Sequence, residues 1–305
     1  NEKKTITKLL NYETTRFLKA DWPPNHAVNN WENNQEHPDI AVTSDGKVFS
    51  VFDYYDDAGY YDIVIARSCD NGDHWENVVI IYSTDWNLLN PAIAVNEGDS
   101  IFVVFQTDYV TSTPYFVYAM SPDGDKWELY SVSTWTWYGD CGYPSISIKG
   151  SYIYVVFQYD YFGDGSDYDI GYVYSDDGGV TWYDYHDDIA NSSAHELYPD
   201  VAISDSLVGV VYQYECATAD TDSFDVMFAY NGGLGSNTWN TKYGIATYHN
   251  DRYPKAYAKG NYFYITCERN YEANPEDDYD IRVRQSIDGG KTWLYSYSFP
   301  AIHTG

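Results

Sequence analysis

The sequence predicts an all-β protein built from one repeated unit, and three observations support this prediction. Hydrophobic residues make up 44% of the 305 residues and aromatic residues 19%, with 35 Tyr and 10 Trp, which is ample material for a folded core. A strand-like segment that begins at a proline recurs every 53 to 55 residues. A tryptophan behind a glycine-rich turn recurs every 52 to 57 residues, and helical periodicity is almost absent. Repeats of this length in a β-rich sequence are typical of propeller blades.

Each repeat contains four predicted strands. The first strand begins at a proline in every repeat, and these prolines are Pro38, Pro91, Pro144, Pro199 and Pro254. In the first repeat the second, third and fourth strands are 48–52, 62–66 and 76–82, and the later repeats follow the same order. The predicted fold is therefore a β-propeller of four-stranded antiparallel blades, with five blades favoured and six blades as the alternative.

The repeat divides the chain into an arm and a ring. Residues 1–36 are an N-terminal arm, and residues 37–305 form the propeller. The predicted blades are about 37–89, 90–142, 143–197, 198–252 and 253–305. The arm can pair along an exposed outer strand of its own ring or of a second copy, so a homo-oligomer held by the arm is one predicted assembly.

The turn after each third strand has its own pattern. Segments 68–75, 175–182 and 286–293 read S-x-D-x-G-x-x-W, while 121–127 is one residue short and 231–239 has lost the Ser and Asp. The Asp carboxylate can accept turn amides, Gly supplies a positive φ, and Trp folds back onto the sheet. We therefore predict a structural role for the residues of these turns, which are Asp70, Gly72, Trp75, Asp123, Trp127, Asp177, Gly179, Trp182, Trp239, Asp288, Gly290 and Trp293.

With these turns the chain resembles the Asp-box (BNR-repeat) sialidase-like β-propeller superfamily over residues 37–299. The resemblance implies an extracellular or cell-surface location. The superfamily contains sialidases, other glycan-active enzymes and non-catalytic binding propellers, and the fold alone does not distinguish between these functions. Sialidases of the superfamily clamp the substrate carboxylate with three arginines. This chain has six Arg in all, and His37 stands where the resemblance places the first of the three, so a non-sialidase member is expected.

Composition excludes two partner classes. The chain has 17 basic and 46 acidic side chains and a net charge of −29, so it cannot neutralise a nucleic-acid backbone. No apolar run reaches 18 residues, so no membrane span is predicted. The same negative charge repels anionic sugars and leaves neutral sugars or protein surfaces as expected partners.

Antiparallel blades place the loops between second and third strands at the end of the ring opposite the Asp-box turns; we call that end the loop face. The second strands all end at this face on a polar residue, and these are Asp53, Gln106, Gln158, Gln213 and Glu268. We predict a ligand-binding ring there, although solvation of a strand end is an equally simple explanation. Further candidate ligand contacts on the same face are Arg252, Arg269, Tyr159 and Tyr161.

The predicted function is a binding or structural module that contacts a glycan or a protein at the loop face. The alternative is a glycoside hydrolase acting on a neutral sugar, which needs two suitably spaced carboxylates. The candidates for that pair are Asp53, Asp160, Glu215 and Glu268.

No cofactor is required, but the acidic loop 160–169 offers oxygen ligands for calcium, unless its charges are simply solvated. The candidate ligands are Asp160, Asp164, Asp167 and Asp169. Cys216 and Cys267, in adjacent blades, are a candidate disulfide pair.

Overall fold

The computed structural model describes residues 27–29, 31–81, 86–108, 115–131, 140–183, 188–216, 224–245, 250–270, 279–294 and 297–299. The arm prediction for 1–36 therefore lies mostly outside the described residues. All regular structure in the described ranges is antiparallel β-sheet. These ranges contain no helix of the length and apolar character that crossing a membrane requires.

Five sheets follow one another along the chain, each a simple up-and-down meander. Sheet 1 consists of β1 (Gln35–Val42), β2 (Val48–Tyr55), β3 (Tyr61–Ser68) and β4 (Glu76–Ile81). Sheet 2 consists of β5 (Leu88–Val95), β6 (Ile101–Thr107), β7 (Tyr115–Ser121) and β8 (Glu128–Ser131). Sheet 3 consists of β9 (Asp140–Lys149), β10 (Tyr152–Asp160) and β11 (Tyr168–Ser175). Sheet 4 consists of β12 (Glu196–Ile203), β13 (Val208–Glu215), β14 (Phe224–Asn231) and β15 (Trp239–Ile245). Sheet 5 consists of β16 (Asn250–Lys259), β17 (Tyr262–Asn270), β18 (Tyr279–Ser286) and β19 (Tyr297–Phe299).

The predicted repeat of four strands is thus present in four sheets. In sheet 3 the fourth position holds two isolated bridges, Ile170 to Ala190 and Tyr174 to Tyr183, within the described residues. The first strands contact one another in chain order, β1 with β5, β5 with β9, β9 with β12 and β12 with β16. This sequential packing of meander sheets by their first strands is a propeller-like arrangement.

The second strands of sheets 2 to 4 are rich in apolar residues because both of their faces are buried between sheets. In β6, Phe105 packs with Phe49 of sheet 1. Its neighbour Phe102 points the other way and packs with Phe157 of sheet 3. Alternate residues of one strand therefore serve two different interfaces, which explains a run of apolar residues where a one-sided sheet would alternate with polar ones.

Each first strand has a bulge at its proline. The strand register shifts across the prolines of β1, β5, β9, β12 and β16. The residue before the proline has a positive φ in all five sheets, between 49° and 52°. These five residues, the pre-proline ring, are His37, Asn90, Tyr143, Tyr198 and Tyr253. A positive φ is uncommon for residues other than glycine, so five at one register position indicate a shared constraint.

The bulge also frees backbone N–H groups that a neighbouring sheet then satisfies. In sheets 1, 3 and 4 the side chain of the residue after the proline accepts a hydrogen bond from the first strand of the following sheet. Asp39 Oδ2 accepts from the N–H of Ile93 at 2.9 Å, and Asp200 Oδ2 accepts from the N–H of Ala256 at 2.7 Å. Ser145 Oγ makes the equivalent bond, 3.2 Å long, between sheets 3 and 4. These bonds fix the first strands relative to one another around the axis.

The end sheets expose apolar side chains on the sides that face away from their neighbours. Ile40 of β1 is 60% exposed, whereas Ile93, at the matching position of β5, packs against sheet 1 and is 6% exposed. On sheet 5, Tyr257 lies on the side opposite the contact with sheet 4 and is 59% exposed. The described part of sheets 1 and 5 is therefore less covered than the three sheets between them.

The disulfide prediction is wrong. Cys216 Sγ lies 3.2 Å from Asp225 Oδ2, while Cys267 Sγ lies 3.6 Å from Asp251 Oδ1. None of the four cysteines is in a disulfide. Cys267 ends up elsewhere because its strand turns it toward the interface with sheet 4, where it is buried among apolar side chains.

Candidate functional site

The candidate site is a cavity of about 650 Å³ on the axis, lined by the first strands of all five sheets. The pre-proline ring and the five prolines form part of its wall. The first strands begin at the loop face, because Glu36 pairs with Asp53 and Leu197 with Gln213, at the ends of the second strands. The ring therefore lies at the loop-face end of the cavity.

Aromatic side chains dominate the pre-proline ring. The ring centroids of Tyr143 and Tyr198 are 5.0 Å apart, and those of Tyr198 and Tyr253 are 4.9 Å apart. His37 meets Tyr143 edge-on at 6.5 Å. Tyr143 and Tyr253 are 38% and 49% exposed, so their apolar faces are accessible. Burial, followed by the neighbouring tyrosines, raises the pKa of Tyr198. The ring offers a mostly neutral aromatic surface with hydroxyl groups.

The polar ring predicted from the sequence lies directly behind the pre-proline ring. Gln158 Oε1 accepts a hydrogen bond from the N–H of Tyr198 at 3.0 Å, and Gln213 Oε1 accepts from that of Tyr253 at 3.3 Å. Asp53 Oδ2 accepts from the N–H of Asn90 at 3.1 Å. The side chains of Asp53, Gln158 and Gln213 thus hold the pre-proline backbone of the following sheet.

The remaining two members of the polar ring differ. Gln106 Oε1 accepts a hydrogen bond from Asn90 Nδ2 at 2.9 Å, so it orients a side chain of the cavity wall. Glu268 is half-buried on β17, opposite Arg252 in the strand register. None of the five predicted ring residues lines the cavity itself. The sequence signal for the residues that do line it is the dipeptide Tyr-Pro, which occurs at the start of the last three first strands.

The other predicted ligand contacts lie outside the cavity wall. Arg269 is buried and makes a bidentate ion pair with Asp251, with Nε–Oδ1 and Nη2–Oδ2 distances of 2.7 and 2.8 Å. The Arg252 guanidinium lies 4.8 Å from the ring centroid of Phe224. A ligand that used Arg269 would have to displace a buried carboxylate.

The two tyrosines predicted on the loop face have opposite environments. Tyr159 is buried and donates a hydrogen bond to Asp188 Oδ1 at 2.6 Å. Tyr161 is 55% exposed and packs edge-on against Phe162. Only Tyr161 is accessible to a partner at the loop face.

The four acidic residues considered for hydrolysis are spread over four sheets. Asp53 and Asp160 are fully buried, and Glu215 Oε2 lies 3.9 Å from His195 Nε2. Asp160 accepts hydrogen bonds from the N–H groups of Phe162 and Gly165 and so closes its own loop. None of the four residues, Glu268 included, lines the axial cavity.

The acidic loop of sheet 3 ends at a buried carboxylate. Asp164 accepts a hydrogen bond from the N–H of Ser166 at 3.0 Å and is exposed. Burial raises the pKa of Asp169 to about 8, and the charges of Glu196 and Asp167 add to that effect. One carboxylate oxygen of Asp169 and one of Asp167 are buried without a hydrogen-bond partner. Carboxyl groups are therefore concentrated between sheets 3 and 4, where burial and mutual repulsion favour their protonated form.

Two carboxylates do line the axial cavity, and the sequence did not single them out. They are Asp39 and Asp200, which follow the prolines of sheets 1 and 4. Burial raises the pKa of Asp39, and the Asp200 carboxylate adds to the rise while Lys255 opposes it. Both carboxylates accept the inter-sheet hydrogen bonds described above. Among the described residues no arginine lines the cavity, whereas Lys255 does.

The glycine-rich turns lie at the opposite end of the sheets from the cavity mouth, since they connect third to fourth strands. In the turn of sheet 3, Ser175 Oγ accepts from the N–H of Gly179 at 2.8 Å and donates to Asp177 Oδ1. Asp177 Oδ1 also accepts from the N–H of Thr181 at 2.8 Å. Trp182 packs 5.4 Å from the ring of Tyr118 in sheet 2. This turn therefore joins local hydrogen bonds to an inter-sheet aromatic contact, and Trp293 makes the same kind of contact with Phe228 of sheet 4.

The carboxylate of Asp177 leads to a prediction of how the stability of the protein depends on pH. The hydroxyl and amide of Thr181 lower the pKa of Asp177 to about 2, from 3.8. A group whose pKa falls on folding stabilises the protein above its unfolded pKa and loses that effect as the pH falls through its folded pKa. We expect the melting-temperature difference between wild type and Asp177→Asn to be constant above about pH 4 and to shrink toward pH 2. Asp176→Asn, in the same turn, is the control; a difference that does not shrink with pH would contradict this account.

Comparison with known proteins shows the fold. The structure is similar to a Hadza microbial sialidase, with a TM-score of 0.60 and 17% identity over 86% of this chain and 58% of that chain. It is also similar to the arabinofuranosidase of Fusarium graminearum in complex with arabinobiose, with a TM-score of 0.58 and 13% identity over 92% and 84% of the two chains. A Dyadobacter fermentans protein of unknown function aligns with a TM-score of 0.65 and 15% identity over 89% and 84%.

The chain thus spans 58% of the length of the sialidase but most of the other two proteins. No protein-family model matches the sequence, and no curated protein matches it. At these identities the similarity shows a sialidase-like propeller fold and does not decide between binding and hydrolysis.

Proposed function

We propose that this protein is a secreted or cell-surface module that binds neutral glycans in its axial cavity. The observation that carries the proposal is the pre-proline ring, which presents Tyr143, Tyr198 and Tyr253 side by side at one register position of the cavity wall. Sugar rings have apolar faces and polar edges, and tyrosine offers an apolar ring with a polar tip.

The chemistry of the cavity supports a neutral ligand. Its volume of about 650 Å³ is in the range of small-molecule sites, roughly 300–1,000 Å³. The net charge of −29 and the carboxylates of Asp39 and Asp200 in the wall disfavour an anionic sugar. Lys255 also lines the wall, but its Nζ atom lies 3.5 Å from Asp200 Oδ1 and is thus already paired with a carboxylate. Asn90 Oδ1 is buried in the wall without a hydrogen-bond partner and can accept a bond from a ligand hydroxyl.

The proposal includes five propeller blades, one for each sheet, with the Asp-box turns fastening them at the end opposite the ligand. Sheets 1 and 5 expose apolar side chains at Ile40 and Tyr257, and a further segment of chain could cover this surface. We propose that the N-terminal arm covers it within one molecule or between two copies. Mass measurement in solution, with and without residues 1–20, distinguishes the two: a monomer in both forms rejects the assembly role.

Glycan binding is tested by one substitution with a matched control. Tyr198→Ala removes the middle ring of the three, and we expect it to weaken binding about five- to ten-fold, since an aromatic contact contributes about 1 kcal/mol. Tyr243→Ala, at a 55% exposed position of β15 that does not line the cavity, should bind like wild type. Isothermal titration with neutral oligosaccharides such as arabinobiose, and with sialyllactose as the charged comparison, measures both. Equal affinity of wild type and Tyr198→Ala would reject the cavity as the site.

Hydrolysis of a neutral sugar is the second candidate. It is supported by the joint presence of Asp39 and Asp200 in the cavity wall, since glycoside hydrolysis uses two carboxyl groups and the pKa of Asp39 is raised, as a general acid requires. Their hydrogen bonds to backbone N–H groups favour a structural role instead. Release of reducing ends during the same titrations, absent in Asp200→Asn, would establish the enzyme.

Calcium in the acidic loop of sheet 3 is a further part of the proposal. The buried carboxylate oxygens of Asp167 and Asp169 without hydrogen-bond partners support it, because calcium binds clustered oxygen ligands. Asp160 and Asp164 already accept loop N–H groups, which leaves them fewer free lone pairs. A melting temperature unchanged by a chelator and by added calcium would reject this site.

A further inference from the structure

Three potential metal ligands meet at the rim of the axial cavity. The donor atoms of Glu36, His37 and Asp53 all lie within 4.8 Å of one another. His37 Nδ1 is 2.8 Å from Asp53 Oδ2. The strand register explains the meeting, since Glu36 pairs with Asp53 across β1 and β2 and the positive φ of His37 turns its side chain back toward them.

Asp53 carries a second, independent sign of a ligand. Its side chain is fully buried, and its Oδ1 atom has no hydrogen-bond partner. Its Oδ2 atom accepts a hydrogen bond from the N–H of Asn90 and also faces His37 Nδ1, so Oδ2 has polar partners and Oδ1 has none. A buried carboxylate oxygen without a partner is costly, and a bound cation is one way to compensate it.

The donor set defines the class of ion. Calcium and magnesium prefer all-oxygen ligands, whereas imidazole with carboxylates suits zinc and similar first-row ions. Donor atoms of a tetrahedral zinc lie about 3.4 Å apart, given bond lengths of about 2.0–2.1 Å. The exposed side chain of Glu36 can rotate to close the remaining separation. Three protein ligands would leave a fourth position open toward solvent.

We propose that Glu36, His37 and Asp53 form a binding site for a divalent first-row transition-metal ion, such as zinc, at the rim of the axial cavity. The ion would bind His37 Nδ1 in its unprotonated form and bring a positive charge to the Asp53 carboxylate, whose Oδ1 atom lacks a partner. His37 lines the cavity, so the ion would lie beside the space assigned to a ligand. The site does not depend on glycan binding and is testable without any sugar.

The chain offers well-matched variants for the test. His37→Asn removes the imidazole and keeps a side chain that sheet 2 already uses at the same position and φ, in Asn90. Glu36→Gln removes one charge at an exposed position. His74→Ala is the control, because His74 Nδ1 also contacts a carboxylate, Asp70 Oδ2, at 2.6 Å, but in a turn at the other end of the sheet.

The probes are zinc, cobalt and calcium ions added to the full chain after treatment with a chelator. We expect zinc to raise the melting temperature of wild type and of His74→Ala, and cobalt to give visible absorption bands in both. His37→Asn should lose the cobalt bands and bind zinc at least about ten-fold more weakly, and Glu36→Gln should weaken binding in the same direction. Circular dichroism checks that each variant is folded. The proposal is overturned if wild type binds neither zinc nor cobalt, or if His37→Asn binds them as wild type does.

Discussion

Replacing Arg269 with alanine is expected to lower the free energy of unfolding by about 3–5 kcal/mol. The Arg269 and Asp251 side chains are 2% and 0% exposed and form two hydrogen bonds to each other. Without the guanidinium, the Asp251 carboxylate stays buried among β16 and β17 with its charge uncompensated. Urea unfolding followed by tyrosine and tryptophan fluorescence measures the change.

The control for this prediction is an exposed ion pair. Lys47→Ala removes the partner of Asp45, where the two side chains are 37% and 52% exposed, and should change the free energy of unfolding far less than Arg269→Ala, because solvent screens this pair. The double replacement Arg269→Met with Asp251→Leu should recover most of the loss, because no unpaired charge remains. A loss below about 1 kcal/mol for Arg269→Ala would show that the pair is not desolvated as the structure has it.

Gly290→Ala is expected to destabilise the protein by about 2–5 kcal/mol. Gly290 has a φ of 92°, which is unfavourable for alanine by about 1–2 kcal/mol. The added Cβ would also lie 2.8 Å from Cζ of Phe228 in sheet 4, and such overpacking costs about 1–3 kcal/mol. The turn of sheet 5 thus cannot accept a methyl group without moving the aromatic side chain behind it.

Gly178→Ala separates the two effects. Gly178 has a φ of 78° in the equivalent kind of turn in sheet 3, and a Cβ there would have no atom within 4 Å. It should therefore show the backbone cost alone, about 1–2 kcal/mol. Thermal and urea unfolding of the two variants give the difference. Equal losses in the two variants would mean that the contact with Phe228 does not constrain the turn.

The fold could be predicted because the sequence repeats the same features at a fixed period. The prolines that begin the first strands and the tryptophans behind the turns mark every sheet, because bulges and tight turns require particular residues at fixed positions. The apolar second strands likewise follow from burial between two sheets, as Phe102 and Phe105 illustrate. Local residue preferences and long-range packing favour the same structure here, so the strands and their order are predictable from the sequence.

The site was less predictable because it depends on where the bulge points a side chain. Asp53, Gln158 and Gln213 share a register that the sequence reveals, yet they hold backbone N–H groups of the next sheet. The residues that line the cavity, such as Tyr198, precede the prolines, and no sequence rule assigns them a positive φ. The partner of Arg269 was also hidden, since Asp251 lies on the neighbouring strand rather than beside it in sequence.

The most direct test of the central claim is a crystal structure of the protein with a bound neutral oligosaccharide. The account predicts a sugar in the axial cavity, in contact with Tyr143, Tyr198 or Tyr253 and within hydrogen-bond distance of Asn90. A sugar bound instead on the outer strands or at the turn end, with the cavity holding only water, would contradict it.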